Sequence, residues 1–296
     1  MLTSSSASFT LRRKFTRDSN SRCSLHTQMA YEIFTILQFK VFMPLNTIMK
    51  YISYSVWGDN KVYTYGIIEN VLDAKKYYEG WIVRVHYNDT VPTNIVDWLK
   101  TQDNVEAVHH PGTKTKASNT LWRFEDLFIK DAVTIVRDAD SRITQREVNF
   151  VSEWLQSTKD FHIIRDHKHH MVPILAGTFG CRNNCLEYIG LPTQLRNINS
   201  VPTQYVRGKD LLESYKENVP NDRDVYLVDQ IFLAQYVYNF IISNMMVHCS
   251  HNAYEPFAKI INHTETGFVG EVVTDCPRAA KIMSDTETQF ERVGAY

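Results

Sequence analysis

The chain lacks a charge surplus of either sign: 32 Lys and Arg stand against 33 Asp and Glu in 296 residues, a formal net charge of −1. No field of that size draws a whole protein onto nucleic acid or an anionic membrane, so nucleic acid is not an expected partner. A small anionic ligand needs only a few local cations. Cysteine is scarce, and the five present, Cys23, Cys181, Cys185, Cys249 and Cys276, form an odd, scattered set that is no disulfide framework. Cys181 and Cys185 make one C-x3-C pair, without the second pair that would complete a zinc site. Reduced thiols and a cytoplasmic location are therefore expected, while sequons at Asn88-Asp89-Thr90 and Asn262-His263-Thr264 leave a secreted reading open. A long uninterrupted apolar run is missing too. Residues 31–49 come nearest, but Glu32, Lys40 and Pro44 break them, whereas a spanning helix needs about 20 mostly apolar residues. No membrane anchor is expected. There are no internal repeats, and no G-x-G-x-x-G follows the first strand, which excludes the dinucleotide fingerprint.

What is present suffices for a substantial core: 44% of residues are hydrophobic and 12% aromatic, enough for one large α/β domain or two small ones. Residues 1–28 are rich in Ser, Thr and Arg, with Asp18 the only acid, and show no period, which is the composition of a disordered extension. Transit peptides share that composition. A translation start at Met49 would coincide with the first convincing strand. The expected organisation is an N-terminal extension, 1–48, and one folded domain, 49–296.

Within 49–296, strands and helices alternate. Residues 51–56 read as a buried strand stopped by Gly58-Asp59-Asn60, and residues 62–78 carry Ile67, Ile68, Val71 and Leu72 at helical spacing. Strand 81–87, a helix 92–100 with Pro near its start, strand 105–108 and a helix 121–128 capped by Asn119 follow. Strand 132–136 then runs into Arg137-Asp138-Ala139-Asp140. Thr144 begins a helix through Leu155, with Glu147 three residues on as a capping box, and strand 161–165 closes the regular part. Such alternation implies a mostly parallel sheet whose ligands bind outside the carboxyl ends of its strands. Beyond Asp166 the pattern weakens: residues 177–180 read as a turn, 208–217 and 229–242 as helices, and the tail from His248 as irregular.

The chemistry centres on Asp138 and Asp140. On an extended segment, residues i and i+2 point the same way. Two carboxylates aimed at one point repel unless a proton or cation lies between them. A hard divalent ion such as Mg2+ or Mn2+ satisfies both and leaves positions open for phosphate oxygens. Arg137 and Arg142 flank the pair and offer planar forks to a diphosphate. The plain alternative is a pair of turn residues after a strand.

Leu121-Trp122-Arg123-Phe124, then Val136-Arg137-Asp138-Ala139-Asp140-Ser141-Arg142, then Phe161-His162-Ile163-Ile164-Arg165-Asp166-His167, resembles GT-A-type glycosyltransferase-like proteins of bacterial polysaccharide clusters and large DNA viruses. The resemblance covers about residues 50–272, with Ser55-Val56-Trp57-Gly58 near its start and Gly267-Phe268-Val269-Gly270 near its end. It implies a GT-A-like, Rossmann-type α/β fold with a less regular C-terminal acceptor side. It also implies a nucleotide-diphosphate-sugar donor, a glycan or other hydroxyl acceptor, and Mn2+ or Mg2+ on Asp138 and Asp140. Ser55, Trp57 and Tyr63 then stand where such enzymes seat base and ribose, and Arg123 faces the diphosphate or sugar unless it is merely ion-paired. Asp229-Gln230 resembles a pair that approaches the sugar in retaining members, although Ile231 stands where those continue with another acid and Asp229 would serve equally as a helix N-cap. His248, or His251, would supply a late metal ligand, although Cys249 follows where an Asp is usual. Asp166, at another strand end, is the candidate to meet acceptor or sugar. His169 and His170 read as a solvated loop.

An oxocarbenium-like transition state places negative charge on the leaving diphosphate, which a metal neutralises. Asp166 or Asp229 would serve an inverting enzyme as base, and Asp229-Gln230 a retaining one. A haloacid dehalogenase-type phosphatase fits poorly, since its D-x-D-x-[TV] motif lies near the domain start and Arg142 occupies the fifth position here. The rival of another class is a catalytically silent GT-A-like carbohydrate-binding or assembly module.

Overall fold

The computed structural model describes residues 48–191, 204–219 and 227–293. The expected extension 1–48 lies outside the described residues apart from Ile48. Five strands were legible and form where expected: β1 (Met49–Val56), β2 (Ile82–Asn88), β3 (Val105–His110), β4 (Ala132–Arg137) and β5 (Phe161–Arg165). Every residue of β4 and β5 is buried, which is the environment that favours β-branched and aromatic side chains over charged ones.

Further strands come from the part that read as irregular: β6 (Thr178–Arg182), β7 (Tyr188–Leu191), β8 (Gln204–Arg207), β9 (Met245–Cys249) and β10 (Lys259–Ile260). Among the described residues the main sheet has eight strands in the order β10-β9-β5-β6-β4-β1-β2-β3. All neighbours pair in parallel except β6, which is antiparallel to β4 on one side and β5 on the other. β7 and β8 form a separate antiparallel pair.

Helices cover the sheet, as the expected mostly parallel α/β architecture requires. Alternate strand residues divide between two apolar clusters: Ile52, Tyr54, Val83, Val85 and Ile135 pack with α1 (Lys61–Tyr77) and α2 (Thr93–Lys100), while Val136, Ile163, Phe179 and Val247 join the other. Asn60 caps α1 by accepting from the Val62 N–H at 3.0 Å. Thr144 caps α3 (Gln145–Gln156) through the Glu147 N–H at 3.2 Å, but Glu147 does not reach back. Its carboxylate binds Arg137 and Tyr78 instead, so the capping box is only half made.

Residues 117–128 depart from expectation. They form a 3-10 helix, Ala117–Phe128, and Asn119 does not cap it: that side chain donates to Lys114 O at 2.8 Å, and Lys116 holds the N-cap position. After α4 (Gly208–Asn218), the expected helix 229–242 is instead α5 (Val228–Phe232), a π-helical stretch Leu233–Val237, and α6 (Tyr238–Ile241). The tail adds α7 (Pro277–Val293), whose Ala279 and Met283 are buried in the cluster that includes α1. Pro277 sits at its first position, where a missing N–H is harmless.

Candidate active site

The chain runs from β1 through β2 to β3 at one edge and then returns to lay β4 on the other side of β1. A reversal of this kind opens a crevice outside the carboxyl ends of the two strands, where open α/β sheets bind ligands. Ser53 pairs with Val136 across β1 and β4. β4 ends at Arg137, directly before Asp138, and Ser55 lies two residues beyond Ser53 near the end of β1. A cavity of about 580 Å³ opens there, and Ser55, Trp57, Tyr63, Arg123, Asp138, Asp140, Asp229 and Gln230 all line it.

Arg123 organises the floor. It is 4% exposed. One terminal nitrogen donates to Asp138 Oδ1 and, at 3.0 Å, to Arg137 O; the other reaches Asp229 Oδ2 at 2.6 Å. Burial opposes its charge, but the Asp138 and Asp229 carboxylates outweigh burial and raise its pKa. Asp229 accepts on its other oxygen from the Gln230 N–H at 2.8 Å. Ser55 is equally committed: its Oγ accepts from the Arg123 N–H at 3.0 Å and donates to Thr120 O at 3.3 Å. Trp57 meets Trp122 edge to face, ring centroids 6.4 Å apart.

The loop after β4 is fixed from below. Asn70 of α1 donates to Ala139 O at 3.2 Å and Ser141 O at 2.8 Å, and accepts from the Ile143 N–H at 3.3 Å. At Gly66 a β-carbon would fall 2.2 Å from Ala139 O, so α1 approaches the loop only because that side chain is absent. The Val273 N–H donates to Asp140 O at 2.8 Å from the C-terminal tail.

Among the described residues lining the cavity, the acids Asp59, Asp138, Asp140 and Asp229 face a single cation, Arg123. The Asp140 carboxyl is pushed up to about 6, first by burial and then by the neighbouring Asp138 carboxylate. That is an acidic pair short of counter-charge, and its hard oxygen donors suit a divalent cation such as Mg2+ or Mn2+.

Four expected residues lie outside the cavity. Arg137 precedes Asp138 and therefore points to the other face of the sheet, where it is buried against Glu147 at 2.8 Å. Arg142 turns back to bind Ser141 O at 2.8 Å and Val273 O at 2.9 Å, joining the loop to the tail. Asp166 is fully buried, held by Arg146 through two bonds of 2.6 Å and by the Val269 N–H at 2.9 Å. It fastens the 267–270 turn, whose Gly270 lines the cavity. His248 is buried on β9, shares a hydrogen bond with His162 at 2.9 Å and stacks on Phe150. β6 explains both displacements: inserted between β4 and β5, it moves the end of β5 about 10 Å and that of β9 about 14 Å from β4.

Sequence reasoning gave Gly177 and Gly270 no role at the site, and it passed over Leu227 and Val272 altogether. Leu227 lines the cavity in a left-handed conformation, φ 76°, an uncommon state for a residue with a β-carbon. Gly177 carried only the signal of a turn, and Val272 carried none.

No protein-family model matches the chain, and a search of curated proteins finds no match. Among solved structures, the chain is similar to glucosyl-3-phosphoglycerate synthase from Mycobacterium tuberculosis in complex with Mn2+, UDP and phosphoglyceric acid, at 9% identity over 49% of this chain and 59% of that one, TM-score 0.35. It is also similar to the mannosyltransferase PcManGT from Pyrobaculum calidifontis in complex with GDP-Man and Mn2+, at 12% identity over 83% and 68%, TM-score 0.37. A third is 4-diphosphocytidyl-2C-methyl-D-erythritol synthase from Anaerococcus prevotii, at 12% identity over 81% and 98%, TM-score 0.35. All three likenesses are remote. No described helix is long and apolar enough to cross a membrane.

Proposed function

We propose that the chain transfers a sugar from a nucleoside-diphosphate sugar to a hydroxyl acceptor such as a glycan, with Asp138 and Asp140 holding a divalent metal ion. The observation that carries this reading is the acidic pair on the wall of a cavity at the sheet's reversal point, where four carboxylates face one guanidinium. An anionic diphosphate enters such a field only with a cation. Bound there, Mn2+ or Mg2+ would neutralise the charge that develops on the leaving diphosphate.

The chain's own residues divide the remaining work. Arg123 stays paired and holds Asp138 and Asp229 in fixed positions, since its charge is already balanced by them. Trp57 and Tyr63 offer aromatic surface to a nucleobase, whereas the Ser55 hydroxyl, committed to Arg123 and Thr120, only shapes the wall. Asp229 and Gln230, which line the cavity, are the polar pair offered to the sugar, and Asp229 takes over the role expected of Asp166. A catalytically silent binding module is the second reading, favoured by the engagement of Asp138 with Arg123.

The test is incubation with a panel of nucleotide sugars and Mn2+, with and without glycan acceptors, following release of nucleoside diphosphate. Asp140→Ala is expected to lower turnover by about two to three orders of magnitude, the scale of losing one major electrostatic stabiliser. Near-wild-type turnover in that variant, with metal still required, removes Asp140 from the chemistry. Donor binding without turnover on any acceptor favours the silent module.

A further inference from the structure

Outside this cavity, His86 of β2 and His110 at the end of β3 bring their rings together, His86 Nδ1 lying 2.8 Å from His110 Nε2. Glu125, on the 3-10 helix, places a carboxylate oxygen so that the three ligand atoms all lie within 4.8 Å of one another. No other group of three or more His, Cys, Asp or Glu side chains among the described residues does so. The geometry points to a second metal site: His86, His110 and Glu125 bind one Zn2+ ion through two imidazole nitrogens and one carboxylate oxygen.

Two imidazoles and a carboxylate, with a fourth position for water, are a donor set that zinc takes in tetrahedral geometry. The surroundings are arranged as zinc sites require. His86 Nε2 lies 3.0 Å from Asp126 Oδ2, and that carboxylate is itself fixed by Ser53 Oγ at 2.6 Å and Arg84 Nε at 2.8 Å. A carboxylate behind a histidine sets its tautomer, so that Nε2 carries the proton and Nδ1 turns its lone pair toward His110. Glu125 is steadied by Lys216 at 2.7 Å, and the His110 ring stacks on Trp122 at 4.5 Å, with the planes 6° apart. Ligand bonds of about 2.0–2.1 Å in a tetrahedron put the ligand atoms about 3.3 Å apart, so the two rings need part by only about 0.5 Å.

The competing state has no metal: a chain of hydrogen bonds from His110 through His86 to Asp126. Titration of the whole, chelator-stripped protein with Co2+ separates the two. An octahedral oxygen site at Asp138 and Asp140 gives only weak visible absorption, whereas a four-coordinate site with nitrogen ligands gives an intense band. One equivalent of Co2+ is expected to produce that absorption, and one equivalent of Zn2+ to abolish it. His110→Ala is expected to lose the absorption, and Glu125→Gln to weaken Co2+ binding by at least about tenfold, with far-ultraviolet circular dichroism unchanged. Absence of the band in the wild-type protein, or its survival unweakened in either variant, overturns the proposal. Should His110→Ala not fold, Glu125→Gln, at a side chain 25% exposed, decides alone.

Discussion

Gly177 lies so close beneath Asp138 that a β-carbon at position 177 would fall 1.8 Å from Asp138 Oδ2. Its φ is not in the left-handed region, so the glycine is there for space and not for backbone freedom. Gly177→Ala is therefore expected to push the first carboxylate of the pair aside. Stability should fall by about 1–3 kcal/mol, the usual cost of overpacking, and Mn2+ affinity by at least tenfold. Chemical unfolding and isothermal calorimetry read the two effects, and unaltered Mn2+ affinity would show that Asp138 is not a ligand.

Asp140 makes metal binding depend on pH. Its carboxyl titrates at about 6 in the fold against 3.8 in an unfolded chain, so a metal must displace a proton below pH 6. Affinity for Mn2+ is expected to drop about tenfold per pH unit below that point, and to be flat above it. The stability sign follows from the same raised value. Asp140's contribution to the metal-free protein is fully present below about pH 3.8 and is lost as pH rises through 6. In chelator, Asp140→Asn should thus melt a few degrees above wild type at pH 8, with the gap closing toward pH 4. A gap that widens on acidification would contradict this assignment.

Arg123 carries a bridge that one ammonium cannot replace. Arg123→Met leaves Asp138 and the buried Asp229 without their cationic partner, and a loss of about 3–5 kcal/mol is expected in urea unfolding. Arg123→Lys should recover little of it, because a point charge lacks the fork that reaches two carboxylates. Adding Asp229→Asn to Arg123→Met should restore part of the stability. Simple additivity of the two substitutions would mean that the residues are not coupled.

For Asp166 the structure implies a positioning role. Asp166→Asn is expected to cost about 2 kcal/mol, since it weakens a two-point charged pair with Arg146 and the hold on the 267–270 turn. Any turnover should fall through poorer donor affinity while its pH profile keeps its shape. Disappearance of one limb of that profile would reinstate Asp166 as a proton-transferring group.

How far each feature was legible follows from the range of the interactions that make it. β1, β2, β4 and β5 announce themselves as runs rich in β-branched and aromatic residues because most of their positions are buried on both faces. β6 does not: Thr178-Phe179-Gly180-Cys181-Arg182 is short, has a glycine at its centre, and is a strand only because β4 and β5 pair with it on both sides. α7 does carry a local signal, Pro277 with apolar positions at 279, 282 and 283, but it follows an irregular stretch that hides its beginning. The His86, His110 and Glu125 cluster was invisible because its members lie on three separate elements.

By itself, the order of residues determined the alternating strands and helices and the position of Asp138 at the end of β4, since both depend on neighbours a few positions away. Asp140 reaches the same cavity through a turn, in which the Ser141 N–H donates to Asp138 O at 3.2 Å, and not through the extended segment that the sequence suggested. The tertiary structure alone decided which other polar groups share their cavity. Asp229 comes to Asp138 through Arg123, whereas β6 carries Asp166 and His248 away from it. Strand order and direction are set by packing among segments far apart in the chain, and no local spacing encodes them.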